Sequence, residues 1–96
     1  MKTIPAIIIL EYILHLTPIA GDEENNPFHE NIEQWREFYT IVSRFIGARK
    51  GVKYYELKAF LDNEYYIVGR SGLYGGGYVD AGYLVLKRMR RLGLDK

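Results

Sequence analysis

Phe28, Ile32, Trp35, Phe38, Tyr39, Val42, Phe45 and Ile46 recur at the three-and-four-residue spacing of one helical face. Nothing else in the chain restricts the fold as tightly. A stripe of that length predicts an amphipathic helix of about five turns over residues 28–46. It also obliges the rest of the chain to supply apolar surface that covers it. Asn26-Pro27 reads as the N-cap followed by proline at the first helical position. The sole tryptophan, Trp35, lies on the stripe and is therefore read as core, not as a ligand platform. Glu30, Glu33 and Glu37 lie towards the helix start, with Arg44, Arg49 and Lys50 at or just past its end. That polarity complements the helix dipole without any function being invoked.

The N-terminal segment MKTIPAIIILEYILHLTPIA has the outline of a signal peptide: Lys2, an apolar run, then Pro18-Ile19-Ala20. The run stops at Glu11, however, and His15 follows one turn later. It falls short of the ~20 apolar residues that a bilayer span needs, and a charge inside the apolar region opposes export. A structural helix over residues 3–17 is expected instead, with Thr3 as cap, Pro5 in the first turn and Thr17-Pro18 as the stop. This helix is apolar almost all round, so it must be covered on several sides. In a domain this small, one cover is expected to be a second copy of the chain. Glu11 and His15, spaced i,i+4, form a narrow polar edge whose ordinary role is a local helix-surface pair.

The 96 residues suit a single domain, 1–96, with residues 27–96 as its core beyond the first helix. Hydrophobic residues make up 48% and charged residues 26%, which places the chain among ordered proteins. Without cysteine, disulfides, thiolate catalysis and cysteine-ligated zinc are excluded. One Gln and four Asn against many charges resemble the usage of proteins from hot environments. The net charge of +1 conceals an asymmetry. Residues 1–37 hold seven acids against two basic residues, whereas residues 38–96 hold eleven basic residues against five acids. A basic C-terminal half can engage an anionic partner at near-neutral overall pI.

The basic half ends in YVDAGYLVLKRMRRLGLDK. Asp80 is placed to N-cap a last helix, and Gly93 falls where a C′ glycine ends one. At 100° per residue, Ala81, Val85, Met89 and Leu92 share one face, and Tyr83, Lys87, Arg90 and Arg91 the opposite one. A tyrosine-plus-cation face over an apolar face suits a polyanion. Upstream, GARKG is a basic break, and 54–61 reads either as a helix carrying Tyr54, Leu57 and Leu61 or as half of a hairpin turning at Asp62-Asn63. The helix is favoured; residues 65–68 read as a strand either way. The loop 71–77 is Gly-rich but has neither G-x-G-x-x-G nor Gly-Lys-Ser/Thr, so nucleotide binding is not indicated. The acidic segment 21–26 reads as a polar loop.

The order of a long helix, a basic turn, Tyr54-Tyr55-Glu56-Leu57-Lys58-Ala59-Phe60-Leu61 and a last helix ending Leu86-Lys87-Arg88-Met89-Arg90-Arg91-Leu92-Gly93-Leu94 resembles helix-turn-helix proteins of the winged-helix class. The resemblance covers about residues 30–94, with Met89 where the family's closing pattern has Leu. It implies an α+β, mostly helical fold, with a short hairpin or strand pair between the second and third motif helices, drawn from residues 64–79. It also implies that the exposed face of the last helix enters the major groove. The expected function is that of a small, cytoplasmic DNA-binding protein, a homodimeric transcriptional regulator. Tyr83, Lys87, Arg90 and Arg91 would face double-stranded DNA, with Arg49, Lys50, Lys53 and Arg70 on phosphates. The alternative is a protein-interaction or assembly module that ignores nucleic acid. No G-x-S-x-G, H-E-x-x-H or cysteine nucleophile is present, and His15 and His29 belong to different elements. Neither catalysis, a cofactor nor a metal is expected.

Overall fold

Pro5 decides how the chain begins. A residue before proline avoids the α region, so Ile4 is extended and the segment enters the fold as a strand, β1 (Thr3–Pro5). In the computed structural model, which describes residues 2–16, 28, 31–71 and 77–96 (backbone only for 64–71 and 77–79), five further elements follow. They are α1 (Ala6–His15), α2 (Ile32–Ile46), β2 (Gly51–Lys53), α3 (Tyr54–Ser71) and α4 (Gly77–Arg91). The fold is α+β and mostly helical. Its described strands form one two-stranded antiparallel sheet, with Thr3 opposite Lys53, Ile4 opposite Val52 and Pro5 opposite Gly51.

The sheet is small but tightly made. Ile4 and Val52, cross-strand partners, are both buried. Gly51 has no alternative there, since a Cβ would lie 2.5 Å from the Ile4 carbonyl oxygen. The Ala6 amide donates to the Lys50 carbonyl at 2.8 Å, and the Lys2 amide to the Lys96 carbonyl at 2.8 Å. The N-terminal segment is thereby tied to both the α2–β2 turn and the residues after α4.

Three boundaries differ from expectation. The first helix covers 6–15, not 3–17, because Pro5 holds a ψ of 135° and stands outside it. Helix α2 starts at Ile32, capped by Asn31, whose side chain accepts from the Gln34 amide at 3.1 Å. Phe28 precedes it in a turn, buried and 5.6 Å from the Phe38 ring. The expected cap at Asn26-Pro27 lies outside the described residues, as do the 21–26 loop and Thr17-Pro18. Residues 65–68, expected as a strand, are helical, and the strand pair lies before α3 rather than between the last two helices. The reason is local: once a helix is nucleated at Tyr54, each added residue gains one hydrogen bond at little further cost, while β propensity depends on a neighbouring strand.

The core gathers one face from every helix: Ile9 and Ile13 of α1, Phe38, Val42 and Ile46 of α2, Leu57 and Leu61 of α3, and Ala81, Val85 and Met89 of α4. Phe45 stacks on Phe60 at 4.2 Å between ring centres, joining α2 to α3. Trp35 is half-buried and donates its indole N–H at 2.9 Å to the Ile13 carbonyl, which also accepts from the Leu16 amide at the end of α1.

Candidate nucleic-acid interface

The stop of α4 follows from its sequence. Gly93 adopts φ 72°, its amide donates to the Arg90 carbonyl at 3.0 Å, and the Leu94 amide donates to that of Met89 at 2.9 Å. This is a Schellman motif, and Leu94 packs against the core as the motif's apolar contact. The start differs: the helix opens at Gly77, which puts Asp80 inside the first turn instead of at the cap. There its charge still complements the positive end of the helix dipole.

With its ends defined, α4 presents two faces. Ala81, Val85 and Met89 are fully buried, as the spacing predicts, and Leu86 joins them. Leu92 does not; it is 44% exposed, because it lies past the last helical residue, beside α1 rather than under it. Tyr83, Lys87, Arg90 and Arg91 are all exposed. Tyr83 is 58% open to solvent although it is a large aromatic residue.

The neighbouring helix adds to this surface. The Arg90 guanidinium donates to the Tyr54 hydroxyl at 2.9 Å, which anchors a side chain that would otherwise be free to swing. One turn along α3, Lys58 pairs with Asp62 at 2.7 Å. The hydrogen bond to Asp62, then the charge of Asp62, holds the Lys58 pKa above its ordinary value. Tyr54, read from the sequence only as sharing a helix face with Leu57 and Leu61, and Lys58 were not among the sequence-chosen site residues. Their i,i+4 spacing signals a shared helix face, but only the α3–α4 packing sets that face beside Arg90.

The remaining sequence-chosen cations are less uniform. Arg49 is committed to the fold: it donates to the carbonyls of Ile46 (3.2 Å) and Phe45 (2.6 Å), and pairs with Glu56 at 3.4 Å. It thus closes the C-terminal end of α2, with its guanidinium 4.8 Å from the Phe45 ring centre. Lys50 is exposed and Lys53 half-buried in β2. The Lys53 amide donates to Glu56 at 3.0 Å, so Glu56 both caps α3 and receives Arg49. Arg70 lies in α3, and its side chain is outside the described residues, as is the Gly-rich loop 72–76.

Arg88, left out of the sequence-chosen set, turns the other way. Its guanidinium sits 5.8 Å from the centre of the Tyr12 ring of α1. Burial raises the Tyr12 pKa, opposed by the charges of Arg88 and Arg91. Arg91 therefore stands at the border between the outward basic face and the α1 side. Among the described residues no group of three or more His, Asp or Glu is placed to hold a metal ion, and no helix is long and apolar enough to cross a membrane.

Compared with family models, curated proteins and solved structures, the chain matches none.

Proposed function

We propose that this chain is a small, cytoplasmic DNA-binding protein that acts as a dimeric transcriptional regulator and lays the outward face of α4 on double-stranded DNA. One observation carries the reading. Tyr83, Lys87 and Arg90 lie exposed along a helix whose opposite face is buried and whose C-terminal end is fixed by the Schellman turn. Cations on a rigid support are suited to phosphate oxygens, and an exposed tyrosine adds a group that can donate to a base edge or phosphate. Lys58, on α3 near Tyr54 and Arg90, extends the basic surface. The helix-turn-helix resemblance adds to this reading, with α3 and α4 as consecutive helices.

The test is fluorescence anisotropy of a labelled random-sequence duplex at three salt concentrations, comparing wild type with the triple change Lys87→Ala, Arg90→Ala, Arg91→Ala. Affinity is expected to fall steeply with salt, by about 0.9 in log–log slope per phosphate neutralised, and the triple variant to show a shallower slope and much weaker binding. Absence of binding at the lowest salt would sink the proposal. The second reading, a protein-interaction module, is favoured by Ile7 and Leu14, which leave apolar surface of α1 exposed. A dimer that ignores DNA at low salt would support it.

A further inference from the structure

We propose that Arg90 of α4 and Lys58 of α3 close on one phosphodiester of the DNA backbone, with the Tyr54 hydroxyl holding Arg90 in place and the Asp62 carboxylate standing in for the phosphate in the free chain. This rests on the DNA-binding reading and adds to it the seam between α3 and α4 as a second point of attachment.

Helix packing brings two like charges together at this seam. Arg90 is exposed at the edge of the α4 face that carries Tyr83 and Lys87, on the side towards α3. Its guanidinium donates to the Tyr54 hydroxyl at 2.9 Å, and Lys58 stands one turn further along α3 on the same side as Tyr54. The two cations are close enough to repel. The hydrogen bond to Asp62 and then its charge raise the Lys58 pKa, and the Arg90 charge works against them. Among the described residues the ion pairs are Arg49–Glu56 and Lys58–Asp62, so Arg90 has no carboxylate of its own there. An anion seated between Arg90 and Lys58 offsets their repulsion, and a phosphodiester offers an oxygen to each.

Tyr54 acts through Arg90 and is a positioning residue. Its hydroxyl takes one guanidinium N–H and leaves the others for an outside acceptor. A side chain fixed beforehand also loses less rotamer freedom when the phosphate arrives. Lys58 is held differently. Its pair with Asp62 at 2.7 Å leaves both side chains more than half open to solvent, at 53% and 59%. A pair so exposed contributes little, and lysine before the acid along a helix is the weaker order. A DNA phosphate therefore displaces Asp62 from Lys58 readily. Asp62 nevertheless stays beside the polyanion and opposes it, so this carboxylate sets how tightly the seam holds.

Two double-mutant cycles, read by anisotropy of the labelled duplex, are the test. Tyr54→Phe should weaken binding about threefold with the salt slope unchanged, since no charge is lost. On an Arg90→Ala background the same change should have no effect. Asp62→Asn should tighten binding about threefold. Lys58→Ala should then cost more affinity on the Asp62→Asn background than on the wild type, because there the ammonium has no internal anion to give up. Independent charge effects would make the two costs equal. Helical circular dichroism should be unchanged throughout, because Lys58, Asp62 and Arg90 are exposed and phenylalanine keeps the Tyr54 ring. A Tyr54→Phe loss that persists without Arg90, or equal costs of Lys58→Ala on both backgrounds, would overturn the proposal. Binding that falls with Lys87→Ala but ignores Lys58→Ala and Arg90→Ala would sink the seam alone. A wild type that ignores DNA at the lowest salt would sink the DNA reading and the seam with it.

Discussion

At the scale of single residues, two side-chain environments yield direct tests. Gly51 sits where β1 approaches most closely, and the Cβ of alanine would stand 2.5 Å from the Ile4 carbonyl oxygen. Backbone rather than a flexible side chain must give way, so Gly51→Ala is expected to cost about 1–3 kcal/mol, read as a lower midpoint in urea unfolding. Tyr12 is the second case. Burial pushes its pKa above the ordinary 10.0, so the folded chain holds the phenolic proton more tightly than the unfolded one. Its contribution is complete below the unfolded pKa and is lost as pH rises through the folded value. Tyr12→Phe should therefore flatten the decline of stability at alkaline pH, followed by thermal unfolding at a series of pH values. Lys58, raised in the same direction by Asp62, titrates similarly and leaves part of that decline in place. Neither effect is legible in sequence: a glycine before a valine looks like a loop, and Tyr12 becomes half-buried only when α4 is placed against α1.

At the scale of elements, the helices were legible where their period was long and their ends carried specific chemistry. Ser, Thr, Asn and Asp cap a helix only where the chain enters it in extended geometry. Asn31, which was not read as a cap from the sequence, meets that condition at the start of α2, with φ −85° and ψ 92°. Replacing it with alanine removes the acceptor for the Gln34 amide, and a loss of about 1 kcal/mol is expected, measurable by thermal denaturation. The corresponding change at Asp80, now inside the first turn of α4, should cost only the smaller dipole interaction, about 0.3–1 kcal/mol. The stop at Gly93 was readable because only a residue tolerant of φ 72° serves there. Residues 65–68 misled because Tyr, Ile and Val favour strands only when a strand lies next to them.

At the scale of the whole molecule, stability and the candidate interface separate cleanly. Leu57 is fully buried in the shared core, and Leu57→Ala should cost about 2–5 kcal/mol through lost contact and a residual cavity. Lys87→Ala, exposed on α4, should stay within about 0.5 kcal/mol of wild type while weakening DNA binding. A variant pair behaving the other way would place the basic face in the structure's support rather than at a partner. By itself the sequence determined the helical character of the chain, the buried face of α4 through Met89, and the exposure of Tyr83, Lys87, Arg90 and Arg91, because periodicity and capping act within a few residues. Tertiary structure alone decided that residues 3–5 and 51–53 form a sheet, that Arg49 serves the fold, that Tyr54 anchors Arg90, and that Arg88 faces Tyr12 across the α1–α4 groove. Apart from the Arg49 bonds to Phe45 and Ile46, those outcomes join residues 7 to 76 positions apart, and no local pattern records which helix will lie beside which.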